Sequence, residues 1–67
     1  MKVTHIDNQA ITIVFSTSEL AFLCNAINES LEAVEEWEFQ TRMGETRKGA
    51  AEMLVELRKL LHETEQN

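Results

Sequence analysis

One cysteine, no proline, no tyrosine and two glycines in 67 residues set the first limits on this chain. With Cys24 alone, no disulfide can form within it. A structural zinc is no better served, because one cysteine and two distant histidines, His5 and His62, give no zinc-ligand spacing. Long apolar runs are missing as well. The longest, Leu20 to Cys24, is far too short to span a bilayer. The opening Met1-Lys2-Val3-Thr4-His5 carries no signal-peptide pattern. An unpaired cysteine fits a reducing compartment, so a cytoplasmic location is expected.

Positive charge is scarce. Six Lys and Arg stand against twelve Asp and Glu, a formal net charge of −6. Nucleic acid demands a basic footprint to neutralise its phosphates, and anionic membranes ask for the same, so neither is an expected partner. Acidity suits solubility and, where clustered, attraction to a basic protein. Size adds a further constraint. A chain this short makes one domain, here residues 1–63 with a polar, frayed tail over 64–67, and such a core supplies only ~3–5 kcal/mol. With a disulfide within the chain excluded and a zinc site not expected, a second subunit or a partner is the expected supplement.

What is present begins with two runs rich in β-branched residues, Val3 to Ile6 and Ala10 to Phe15, separated by Asp7-Asn8-Gln9. That is a hairpin signal. Ile11, Ile13 and Phe15 alternate with Ala10, Thr12 and Val14, and the first set is expected to face the core. At Ser16 the period changes. Ser16 and Glu19 have capping-box spacing, with Ser18 as a competing cap. Leu20, Leu23, Cys24, Ile27, Leu31 and Val34 then recur as a helix face.

No glycine or proline interrupts until Gly44, so this helix could run to about Arg42, with Gly44 ending it. Its phase argues otherwise after Val34. Continued at 100° per residue, the stripe places Glu38 and Arg42 on the core line and Trp37 and Phe39 on the flanks. Either the helix kinks near residues 34–37 or its far end projects beyond the core. Thr46 then caps a second helix from about Arg47 to Glu63, with Ala50, Met53, Leu54, Leu57, Leu60 and Leu61 as its apolar stripe. Gly49 in its first turn costs about 1 kcal/mol relative to alanine. The expected fold is α+β, ββαα: an N-terminal antiparallel β-hairpin followed by two antiparallel helices, the first long. Two helices cover one face of such a hairpin and leave its edges unpaired, a second reason to expect association.

Three features are candidates for function. Glu29, Glu32, Glu35, Glu36 and Glu38 form an acidic stretch with no basic residue between Glu19 and Arg42. It reads either as a solvated face or as a docking surface for a basic partner. Trp37 lies among these glutamates and continues a second, broken apolar line through Phe22, Ala26 and Ala33. That line is either sandwiched or a contact surface, and tryptophan is a favoured interface anchor. Arg42, Arg47 and Lys48 flank the Met43-Gly44-Glu45-Thr46 turn, where first-turn cations face the positive end of a helix dipole. Local pairing of Glu38 with Arg42, or Glu45 with Lys48, would compensate; an anion site is the alternative.

Catalysis finds little support. Neither histidine has a glutamate three residues before it, as a helical di-iron site requires, and no glycine-rich phosphate loop occurs. Cys24 lies on the apolar stripe, where an inert buried thiol is the simple reading. No enzyme activity and no cofactor are expected.

The residues Glu38, Phe39, Thr41, Arg42, Gly44, Arg47 and Ala50, joined to Asn25, Ala26, Asn28 and Glu29 upstream, resemble a group of short bacterial proteins. These are immunity-like or accessory proteins of polymorphic toxin and contact-dependent inhibition systems, and the likeness covers about residues 19–60. It implies a small acidic inhibitor that plugs a cognate basic toxin, often a nuclease, with Glu35, Glu36, Trp37 and Glu38 meeting the toxin. The same motif equally fits a fold-determining helix junction with Arg42 capping or bridging it. The sequence therefore leads to a protein-binding module contacting its partner through Phe22, Glu32, Glu35, Glu36, Trp37, Glu38 and Arg42. A homodimer of structural or regulatory role, sharing its sheet edge or its Phe22–Trp37 face, is the alternative.

Overall fold

Asp7 turns the first strand back on itself. Its Oδ1 accepts from the backbone N–H groups of Gln9 and Ala10, both at 2.8 Å, while its own N–H donates to the Ala10 carbonyl at 3.0 Å. An aspartate that bonds its own following backbone in this way sets a turn without glycine. The computed structural model describes residues 1–65. Strands β1 (Lys2–Ile6) and β2 (Ile11–Val14) pair antiparallel, and three helices follow: α1 (Thr17–Ala33), α2 (Glu36–Met43) and α3 (Arg47–Glu65). The class is α+β with the hairpin first, as expected. The long first helix is divided in two, so the order is ββααα.

The hairpin register contains an irregularity. Lys2 pairs with Val14 and Val3 with Ile13, then His5 with Thr12 and Ile6 with Ile11, so Thr4 is the extra residue of a bulge. Its Oγ1 donates to the Thr12 carbonyl at 3.3 Å. Cross-strand partners share a face, so the bulge brings Val3, Ile6, Ile11 and Ile13 to one side. Lys2, His5, Thr12 and Val14 take the other.

Neither strand packs against a helix. The expectation that Ile11, Ile13 and Phe15 face the core is corrected: Ile11 is 60% exposed, Phe15 stays accessible, and only Ile13 is half-buried. The physical reason is reach. The segment from Phe15 to Ser16 carries the chain straight into α1, and the helices turn toward each other, not back over the strands.

Ser16 starts α1 as a capping box. The Glu19 N–H donates to Ser16 Oγ at 3.1 Å and the Ser16 N–H donates to Glu19 Oε1 at 2.9 Å. Both carboxylate oxygens of Glu19 also lie 2.8 Å from the Met1 amine, tying the foot of β1 to the helix. That amine, then the Ser16 N–H, pushes the Glu19 carboxyl down to about 2. Asp7 is likewise lowered, by the N–H groups of Gln9 and Ala10 and then by His5.

Helix α1 ends at Ala33, and Val34 and Glu35 are extended. The break resolves the conflict of phase in the sequence. Rotating the chain over two extended residues sends Phe39 inward, where it is the most buried side chain at 1% exposure, and leaves Trp37 outside. An unbroken helix to Arg42 would bury Glu38 and Arg42 instead. Gly44 closes α2 at φ 77°, donating its N–H to the Gln40 carbonyl at 2.9 Å, the left-handed cap its position predicted. Thr46 Oγ1 accepts from the Gly49 N–H at 3.0 Å and so caps α3. A Cβ on Gly49 would meet the Glu45 carboxyl at 2.5 Å, so the glycine makes room for that side chain.

Helix α3 continues to Glu65, past the expected end at Glu63; Gln66 and Asn67 of the expected tail lie outside the described residues. Its inward line is Ala50, Leu54, Leu57 and Leu61, whereas Met53 and Leu60 of the expected stripe are about half exposed.

Among the described residues the core is Cys24, Phe39 and Leu54, one from each helix. The molecule is a slab of 38 × 33 × 16 Å. Its radius of gyration is 13.5 Å, against ~11 Å for a compact chain of this length. It exposes 5526 Å², against ~4,300 Å² for a compact monomer of its 7.7 kDa mass. No helix is long and apolar enough to cross a membrane among the described residues.

Candidate protein-docking surface

Helix α1 carries no basic residue in its last turn, so its terminal carbonyls have no local cation. Arg47 supplies one from the start of α3. Its Nη1 donates to the Val34 carbonyl at 3.1 Å, its Nη2 donates to the Leu31 carbonyl, and its Nε lies 3.1 Å from Glu36 Oε2. The guanidinium also stands 5.3 Å from the centroid of the Phe39 ring. One side chain therefore neutralises the negative end of α1, holds an acidic residue of the first turn of α2 and covers the buried aromatic between them. Each of its three nitrogens is engaged in one contact.

This junction fixes what α2 presents to solvent. Phe39 points in, and Trp37, two residues earlier, points out with 80% of its surface exposed. Glu35 and Glu36 flank it and are exposed. Glu32 is exposed near the end of α1, and neither it nor Glu35 has an ion-pair partner among the described residues. Glu38 is half-buried and pairs with Arg42 at 3.6 Å, the i,i+4 bridge expected locally. Glu45 instead accepts from the Thr46 N–H at 2.7 Å.

Of the seven candidate contact residues, the structure brings Glu35, Glu36 and Trp37 together at the start of α2, with Glu32 close in the chain. Glu38 and Arg42 satisfy each other. Phe22 is 70% exposed, but it lies near the opposite end of α1, ~16 Å along the axis from Ala33. There it lines an apolar hollow of about 250 Å³ with Met1, Phe15, Glu19 and Leu23. The broken apolar line from Phe22 to Trp37 on one long helix is therefore corrected to two separate exposed aromatics on α1 and α2. The line between them, Ala26 and Ala33, is exposed and is not sandwiched by the sheet.

The roles of Arg47 and Phe39 were missed in the sequence reading. The signal for Arg47 was the uncompensated end of an acidic helix, and for Phe39 the out-of-phase aromatic after Val34. A second hollow of about 160 Å³ lies among the three helices, lined by Ile27, Ser30, Phe39, Met43 and Met53 with Glu45 and Ala50 at its margin. It is too small for a drug-sized ligand. No family model matches the chain, and no curated protein or solved structure is significantly similar to it.

Proposed function

We propose that this chain is a protein-binding module that takes a basic protein on the start of α2, with Trp37 as the anchor and Glu32, Glu35 and Glu36 around it. The observation that carries this reading is Trp37 itself: a large indole held 80% exposed on a helix whose other side is fixed by Phe39 and Arg47. Rigid presentation lowers the ordering cost of binding, and an aromatic ringed by charge has the make-up of an interface hot spot. Glu32 and Glu35, without ion-pair partners among the described residues, favour a cationic partner and steer its approach. Together with the resemblance of the junction motif, this supports an immunity-type inhibitor of a basic toxin as the specific form, acting by occlusion and without chemistry of its own.

The test is retention of a partner from the producing cell by the tagged full chain, eluted in a salt gradient and identified by intact mass. One basic protein should be retained at low salt and released as salt rises, because exposed charges are screened. Trp37→Ala should weaken that complex at least tenfold, and Glu35→Lys should slow its formation, with neither variant altering the melt of the free chain. A retained protein bound equally well by Trp37→Ala would remove α2 as the site.

A further inference from the structure

The bulge at Thr4 has an effect on sequence pattern. Regular alternation in Lys2-Val3-Thr4-His5-Ile6 would set Val3 and His5 on one face and Lys2, Thr4 and Ile6 on the other. With Thr4 set aside, Val3 and Ile6 fall together opposite Ile13 and Ile11. The hairpin thereby gains one wholly aliphatic face and one mixed face. That aliphatic face is open: Val3 is 49%, Ile11 60% and Ile6 68% exposed, and neither strand packs against a helix. We infer that this face, Val3, Ile6, Ile11 and Ile13, is the interface of a homodimer, packed against the same face of a second copy.

Three observations select a second copy as the occupant. Area comes first. The chain exposes 5526 Å² where ~4,300 Å² is usual for its mass, an excess of the order of the ~800 Å² each partner gives up in a standard interface. One face of so short a hairpin presents less than that, so the contact continues onto Met1, Phe15 and Phe22 around the hollow at its foot.

Charge comes second. Of twelve acidic residues only Asp7 lies before Glu19, Lys2 offsets it and the Met1 amine pairs with Glu19 at the foot, so the hairpin is where two chains of net charge −6 meet with the least repulsion. A cationic partner would instead be drawn to α1 and α2. Architecture comes third. A sheet buries its apolar face against a second layer, and here no helix packs on either strand. A self-complementary face supplies the other layer by two-fold symmetry. The edges are poor alternatives: β1 is broken by the bulge and carries Lys2, and β2 has four residues.

Sedimentation equilibrium of the full chain from about 1 to 500 µM is the test, with Ile11→Lys on the aliphatic face and Thr12→Lys on the other. The wild type should sediment as two chains, return toward one on dilution, and melt at a temperature that rises with concentration. Apolar contact should keep the dimer intact at high salt, where a complex made through the glutamates is lost. Ile11→Lys should weaken dimerisation at least tenfold and Thr12→Lys should leave it unchanged. If lysine unfolds the hairpin by circular dichroism, Ile11→Thr, which keeps strand propensity but removes apolar surface, should weaken it in the same direction. A wild type monomeric throughout, or a dimer that both lysine variants disrupt equally, or that Ile11 substitutions spare, overturns the inference. None of these outcomes bears on Trp37, so this interface and the α2 surface fail or stand separately.

Discussion

A guanidinium in the first turn of a helix faces the positive end of that helix's own dipole, which disfavours it by a few tenths of a kcal/mol to about 1 kcal/mol. Arg47 tolerates this because its side chain leaves α3 and ends at the carbonyl terminus of α1, where the field has the opposite sign. Charged hydrogen bonds of this kind contribute ~1.5–3 kcal/mol each when removal strands a partly buried partner. The ion pair with Glu36 adds little, since that carboxylate is 84% exposed. Arg47→Ala should therefore cost about 2–3 kcal/mol in urea unfolding, a large part of what so small a core supplies. Arg47→Lys should recover under half of it, for an ammonium cannot reach both carbonyls and lie on the Phe39 ring. A loss under about 0.5 kcal/mol for alanine would reduce the guanidinium to a cover over the ring. At this scale five residues of the junction motif have folding roles: Phe39 fills the core, Arg42 bridges Glu38, Gly44 caps α2 and Arg47 joins the helices. Trp37 lies outside the motif with 80% of its surface exposed.

Elements differ in how far local sequence decides them. The caps at Ser16, Gly44 and Thr46 act over one turn of chain, and each was readable from residue type and spacing. The break after Ala33 was readable as a contradiction of phase, but its position was set by Arg47, thirteen residues beyond Val34, and local spacing carries no such information. The hairpin was readable as a hairpin, whereas its failure to pack, and the bulge that reorders its faces, depend on where the helices lie. The foot of β1 yields a prediction at this scale. Glu19 has a folded pKa of about 2 against an ordinary 4.5, and Asp7 is lowered too. A depressed carboxyl stabilises the fold fully above its unfolded value and loses that contribution as pH falls toward its folded one. The melting temperature should thus be level above about pH 5 and fall between about 4.5 and 2. In Glu19→Gln much of that slope should vanish, and the temperature at neutral pH should drop toward the acid value of the wild type. An unchanged slope would show that the amine and the Ser16 cap do not hold Glu19 in solution.

For the whole molecule the governing quantity is the ratio of covered to open surface. Three buried side chains among the described residues and a thickness of 16 Å leave little interior, so hydropathy alone does not tell which cysteine, aromatic and glutamate positions are covered. Two of the exposed regions differ in chemistry, aliphatic at the hairpin and anionic around Trp37, so the two proposed contacts would not compete for one surface. The separation of the strands from the helices also bears on folding. The hairpin closes contacts between residues 5 to 12 apart, whereas α1 and α3 join residues at least 14 apart and neither strand packs on a helix, so substitutions on the strands should leave the docking of the helices nearly unchanged. Refolding followed by helical circular dichroism should then proceed at one rate in the wild type and in Ile11→Ala, independent of concentration. Docking of two hairpins as a homodimer would add a second, bimolecular phase that speeds up with protein concentration. A newly made chain would on this account carry both its anionic helical surface and its open aliphatic strand face from the start, and would cover the second only on meeting another copy.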